Sequence, residues 1–241
     1  MIKKMIKKQK YSPSWWGVFF NPYFITRRCL FQGIRALTAK IAGDGVSRWL
    51  DVGCGERPYE YLFNVKEYIG IDVEESGHHP DAKYCDIFFD GMNIPFPSES
   101  FDGIVCTQVL EHVLHSKELL REITRALKPG GHLLLTAPFV WEEHEQPYDF
   151  TRFTRFGMMD MITRSGFEVV EQNQTAGYFG ALAQMASSYL YSAAARRSNL
   201  WNMIVTAFLC APVQILGLLL QKLLPRNNNL YLDHIILARK I

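Results

Sequence analysis

Between residues 48 and 176 the chain alternates short apolar, β-branched runs with helix-period segments, and this alternation limits its fold more than any other feature. RWLDVG, YIGIDV, AKYCDI, FDGIVCT, GHLLLTAP and FEVVEQ read as strands. KELLREITRALKPGG reads as a helix, apolar along one face and stopped by Pro129, Gly130 and Gly131. Strands separated by helices predict an α/β class: a doubly wound, mostly parallel sheet. LYLDHIILARK, near the C-terminus, supplies a last strand.

Three regions follow from this pattern. Residues 1–47 form a basic arm with Trp15, Trp16, Phe19, Phe20, Tyr23 and Phe24, running into a helical stretch. Residues 48–176 with 227–241 form the α/β domain, and 177–226 an apolar helical insertion. Before Asp44 there are nine basic residues and no acidic one, leaving 17 basic against 24 acidic in the remainder. Such asymmetry points to a basic arm that meets an anionic surface. Near-half apolar and one-fifth charged, the chain is neither disordered nor fibrous in type. Its five cysteines are scattered without a CxxC pair, which argues against a disulfide framework or zinc site and fits a reducing cytosol. The aromatic arm is broken by Pro, Gly and Asn, unlike the apolar core of a signal peptide.

The segment RWLDVGCGERPYEYL carries the strongest chemical signal. A buried strand enters a glycine turn and then a helix start, where Gly53 and Gly55 let a cofactor approach the backbone. About twenty residues on, Asp72 ends the next strand, placed to accept hydrogen bonds from ribose hydroxyls. A dinucleotide fold wants a third glycine where Pro58 stands. An ordinary glycine turn is the bland alternative. A nucleoside cofactor without a pyrophosphate is the third.

In sequence order, LDVGCG, IGID, IPFPSESFDGIV, VLEHV and EITRALKPGGHLLLTAP resemble the motifs of class I S-adenosylmethionine-dependent methyltransferases of the type 11 group. The resemblance covers 48–176 and the last strand. It implies a Rossmann-like seven-stranded sheet with S-adenosylmethionine as cofactor. By the same resemblance Asp51, Gly53 and Gly55 surround the methionine part and Asp72 holds the ribose. Asp86 faces the adenine amino group with Ile87 on the ring. Asp90 is the alternative adenine contact, having the more usual spacing to Pro95, while Asp86 is favoured as the end of the YCDI strand. Gln108 ends the fourth strand beside the sulfonium methyl, and VLEHV begins the helix beyond. Glu111 and His112 there are an acid/base candidate, with pocket shaping the plainer role.

APFVWEEHEQPYDFTRFT, at 137–154, leaves the carboxyl end of the fifth strand, where open α/β sheets bind ligands. Methyl transfer needs the acceptor aligned and, for a hydroxyl, its proton removed. An imidazole suits that task, so His144 is the candidate general base, with Asp149 as its orienting partner or a second candidate. A solvated acidic loop is the competing reading. A metal cluster has no specific ligand spacing here, so none is expected.

The same loop is similar to a methyltransferase subgroup of envelope and capsular polysaccharide pathways. It implies O-methylation of a hydroxyl on a membrane-associated or lipid-linked envelope-glycan precursor. Methylation of a quinone or soluble small molecule is the rival, as is a non-catalytic cofactor-binding partner of a membrane biosynthetic complex. MIVTAFLCAPVQILGLLL in the insertion is long enough to span a bilayer, yet it lies between the last two strands of one sheet. Any crossing must therefore be even in number. A helical hairpin in one leaflet, broken at Pro212 and flanked by Arg196, Arg197, Lys222 and Arg226, fits that constraint, as does a buried helical subdomain or dimer interface. The expected location is the cytoplasmic face of the membrane, peripheral or monotopic. The expected partners are the acceptor and the membrane surface, with no nucleic acid.

Overall fold

The computed structural model describes residues 9–41, 45–76 and 83–241. Seven strands make one sheet: β1 Arg48–Val52, β2 Glu67–Val73, β3 Ile87–Phe89, β4 Phe101–Thr107, β5 Leu127–Pro138, β6 Phe167–Gln174 and β7 Asp233–Lys240. Their order is β3-β2-β1-β4-β5-β7-β6. β1 pairs parallel with β2 and β4, β2 with β3, and β4 with β5. β7 runs against β6, since Thr175 N–H donates to Asp233 O at one end and Ile241 N–H to Gly166 O at the other. The α/β class and the seven strands are as the sequence predicts.

The chain divides into two compact units. The larger comprises Ile34–Phe139, Glu143–Asn173 and His234–Ile241. Its core is the sheet's apolar strands with Leu119, Leu120 and Ile123 of helix α2 (Ser116–Ala126) and Met158 and Ile162 of helix α3 (Arg155–Arg164). α2 ends before the expected Pro-Gly-Gly stop. Leu127 is already extended, Pro129 disfavours helix at Lys128, and LKPGG joins β5. The Thr154 hydroxyl caps α3 by accepting the Gly157 N–H at 3.2 Å.

The smaller unit comprises Met1–Gly33, Val140–Glu142 and Gln174–Asp233. The arm and the insertion, separate regions in the sequence, thus form one body. It contains the start of helix α1 (Phe24–Ile41), helix α4 (Tyr178–Ala194) and helix α5 (Asn199–Leu223). The first N–H groups of a helix lack intrahelical partners, and here two buried glutamines serve them. Gln184 Oε1 accepts from Ile25 N–H at 3.1 Å and Thr26 N–H at 3.3 Å, and Gln214 Oε1 from Ile25 N–H at 3.2 Å. Their amide nitrogens donate to Pro22 O and Asn21 O.

This unit has an apolar core around Phe24, Ile25, Ala181 and Leu232, yet it also buries polar side chains and exposes large apolar ones. Gln184, Ser187 and Ser188 of α4 and Thr206 and Gln214 of α5 are buried, while Leu200, Met203, Phe208, Leu216, Leu219 and Leu223 are exposed. Phe208 is 74% exposed and Leu216 57%. Pro212 does not break the helix as expected. α5 passes through a π-helical turn at Thr206–Cys210, immediately before it, and continues.

Candidate active site

Strand order reverses at β1, whose neighbours are β2 and β4, so the crevice at the carboxyl ends of β1 and β4 is where a ligand of this fold belongs. The glycine turn opens there. Gly53 has φ +69°, and a Cβ on it would stand 2.4 Å from Val109 Cγ2, so only glycine fits. Gly55 has φ +49°, and a Cβ there would meet nothing within 4 Å. One glycine permits close packing and the other opens onto space. The chain then enters a 3-10 turn at Glu60–Leu62, not the expected helix start, with Pro58 and the positive φ of Arg57 in between.

Asp51 and Asp72 are both buried behind this turn. Asp51 Oδ2 accepts the Tyr68 hydroxyl at 2.8 Å, while its buried Oδ1 has no hydrogen-bond partner among the described residues. Burial pushes the Asp51 carboxyl up to about 7 against the lowering effect of Tyr68. Asp72 accepts the Gly55 N–H and the Val73 N–H, each at 2.8 Å, and the buried Lys83 ammonium stands 3.3 Å from its Oδ1.

The expected strand AKYCDI is displaced in the structure. β3 is Ile87–Phe89, so Asp86 precedes the strand and Asp90 follows it. Asp86 was favoured as a strand end, and that premise is corrected. Ile87–Phe89 pair with Ile71–Val73, and Cys85–Asp86 remain in the connection. Asp86 Oδ2 accepts from Gly70 N–H at 2.8 Å and from the Arg57 guanidinium. Exposed Ile87 begins β3 opposite Ile71. Asp90 accepts the Met92 N–H at 2.8 Å and both the backbone and side-chain nitrogens of Asn93 at 2.6 Å, bonds with Asn93 foremost that hold its carboxyl below the usual range.

Gln108 follows β4 with φ +57°, a conformation that costs energy for a residue with a Cβ. Its N–H donates to Thr136 O at 2.9 Å and its Nε2 to Thr136 Oγ1 at 3.2 Å. VLEHV makes a 3-10 turn at Leu110–His112 where a helix was expected, and α2 starts at Ser116. The loop after β5 folds onto that turn. Phe150 N–H donates to Glu111 O at 2.8 Å, and His112 Nδ1 donates to Tyr148 O at 2.7 Å.

Within this loop His144 and Asp149 meet as the sequence predicts. Asp149 Oδ2 lies 3.2 Å from His144 Nδ1 and accepts the His144 N–H at 3.0 Å. Both terminal nitrogens of Arg152 grip the carboxylate, at 2.6 and 2.7 Å. Burial alone would raise Asp149, yet Arg152 and the His144 N–H hold it well below the usual carboxylate range. Burial, and then the charge of His112, pull His144 below its ordinary value, which keeps the imidazole neutral near pH 7. The His112 and His144 rings meet edge to face at 4.8 Å.

Sequence reasoning gave no site role to Tyr68, Arg57, Lys83 or Arg152. Arg152 had a signal, an acid-to-base spacing of three beside the predicted pair. The others are contacts between separate strands and loops, which no local spacing encodes.

A family model described as a methyltransferase domain matches residues 25–172. A tRNA (carboxymethyluridine(34)-5-O)-methyltransferase of Arabidopsis thaliana is 32% identical over 115 residues, 44% of this chain and 27% of that protein. A demethylmenaquinone methyltransferase of Symbiobacterium thermophilum is 32% identical over 123 residues, 45% of this chain and 46% of its own length. The matches thus span less than half of either relative. Among solved structures, Haemonchus contortus phosphoethanolamine N-methyltransferase 2 in complex with S-adenosyl-L-methionine aligns with a TM-score of 0.56 at 15% identity, over 98% of this chain and 60% of that one.

Proposed function

This chain belongs to the methyltransferase-domain family, with S-adenosylmethionine as methyl donor, and from that premise we propose that it methylates a hydroxyl oxygen on a membrane-associated acceptor, a lipid-linked envelope-glycan precursor. The observation that carries the reading is an oriented imidazole in the same unit as an open glycine cradle: His144 held by Asp149, and Gly55 with nothing within 4 Å of its Cβ position.

The residues of the cradle fit the cofactor. The open side of Gly55 and the partnerless buried oxygen of Asp51 suit the methionine part, and Asp72 suits the ribose hydroxyls. Asp90, at the carboxyl end of β3, replaces Asp86 as the adenine contact, with Ile87 beside the ring. Gln108 borders the reacting methyl from the end of β4. S-adenosylmethionine, when bound, supplies a methyl carbon already activated by positive sulfur. The protein's remaining task is to align the acceptor and free its oxygen of a proton. His144 activates that hydroxyl, and Asp149, clamped by Arg152, keeps the ring in place.

The smaller unit supports a membrane-bound acceptor. Its helices turn large apolar side chains outward, and α5, 25 residues long, carries an 18-residue stretch with a mean hydropathy of 2.3, only a third of it buried. The unit holds eleven basic residues against two acidic, Glu142 and Asp233, which suits anionic lipid. The quinone alternative draws on the similarity to the demethylmenaquinone methyltransferase.

The test is transfer of radiolabel from S-adenosylmethionine in native membranes, followed by organic extraction and alkali. A methyl ether on a lipid-linked acceptor gives organic-phase label that survives alkali and disappears on glycan-releasing mild acid hydrolysis. Label that stays in the organic phase after mild acid points to a quinone ring, and aqueous label overturns the lipid-linked acceptor.

A further inference from the structure

The loops after β4 and β5 bring His144 to the adjacent pair Glu111 and His112. One ligand atom of each lies within 4.8 Å of the others. His112 Nδ1 faces the Tyr148 carbonyl at 2.7 Å. A carbonyl only accepts, so that nitrogen carries a proton and Nε2 carries the lone pair. Nε2 is also the nitrogen near Glu111, 3.9 Å from Oε1. His144 repeats the pattern, with Nδ1 held by the Asp149 carboxylate and Nε2 as its other nitrogen. A carbonyl or carboxylate accepting from one imidazole nitrogen is the outer support that metal-ligating histidines use. Glu111 is fully buried beside the two imidazoles.

We propose that Glu111, His112 and His144 form a site for a divalent transition-metal cation. Two imidazoles and one carboxylate suit zinc, manganese, iron or cobalt better than calcium. With bonds of about 2.1 Å, ligand atoms in such sites stand about 3 to 4.2 Å apart, so the observed cluster needs only a small closure. Arg152, gripped by Asp149, also acts electrostatically on Glu111, and Glu145 adds a carboxylate 3.9 Å from His112 Nε2. Three protein ligands leave positions open, as catalytic metal sites do.

The inference rests on the O-methylation reading and specifies how His144 activates the hydroxyl. His144 gives its lone pair to the cation, and the cation acidifies the acceptor hydroxyl, whose proton passes to water. The oxygen then bonds to the methyl carbon as the carbon–sulfur bond breaks.

The test uses the purified full chain, stripped with chelator and titrated with zinc by calorimetry and with cobalt by visible absorption. One equivalent should bind. His112→Ala and Glu111→Gln should each weaken binding by on the order of 100-fold, and Asp149→Asn by about 10-fold. Melting temperature and S-adenosylmethionine affinity of each variant exclude misfolding, and His112→Asn stands in if the alanine variant melts early. Absence of stoichiometric binding, or binding unchanged in folded variants, overturns the metal site. O-methyl transfer by chelator-stripped protein at the full rate overturns the cation's role but leaves the O-methylation reading standing.

Discussion

Asp149 holds His144 at two points, 3.2 Å from its ring Nδ1 and 3.0 Å from its backbone N–H, so one carboxylate fixes both ring and chain. Asp149→Asn keeps the size and loses the charge. Turnover should fall about 10- to 100-fold while S-adenosylmethionine affinity stays within threefold. Arg152→Lys should fall between wild type and Asp149→Asn, because a lysine cannot reproduce the two-pronged grip. Parallel turnover and equilibrium-binding measurements check both.

The two turn glycines should separate stability from binding. Alanine at Gly53 collides with Val109 and at φ +69° is strained, so Gly53→Ala should lower stability by about 2–4 kcal/mol. Gly55→Ala meets no neighbour and pays only for its positive φ, about 1–2 kcal/mol, yet it fills the cradle and should cost cofactor affinity at least tenfold. Thermal melts and cofactor titration distinguish them.

Asp51 should leave a mark on the pH dependence of stability. Its folded value of about 7 lies above the unfolded value of about 3.9. The contribution is therefore fully present below about pH 4 and is lost as pH rises through 7. Asp51→Asn mimics the neutral carboxyl and keeps an acceptor for Tyr68. The variant should melt close to wild type at pH 4.5 and several degrees higher at pH 8, while binding cofactor more weakly. A difference in melting temperature that does not change with pH contradicts the assignment.

Deleting the insertion would strip Gln184 and Gln214 from the start of α1, so surface substitution is the cleaner probe of membrane contact. Phe208→Asp with Leu216→Asp changes exposed positions only. Sedimentation with anionic vesicles should drop at least tenfold while the melting temperature moves by no more than about 2 °C.

The α/β architecture was legible because strand and helix periods differ and parallel strands, buried on both faces, read as apolar runs. LDVGCG and Asp72 were legible because a glycine turn needs glycines whatever surrounds it. The pairing of His144 with Asp149 was legible because five residues of one loop connect them. Asp86 was misplaced because β3 is only three residues long and the strand signal in YCDIFF does not reveal which half pairs. The helix expected at VLEHV became a single turn because its fate depends on the loop after β5, distant in sequence. The union of arm and insertion was hidden for the same reason. Gln184 and Gln214 look like blemishes in apolar helices until the start of α1 supplies their partners.

The most direct measurement is formation of S-adenosylhomocysteine by the purified full chain when membrane lipid extract is added, beside Asp72→Ala. Release that requires the extract, turns over repeatedly and vanishes in the variant is the predicted result. Tight S-adenosylmethionine binding without any extract-dependent S-adenosylhomocysteine would contradict the account.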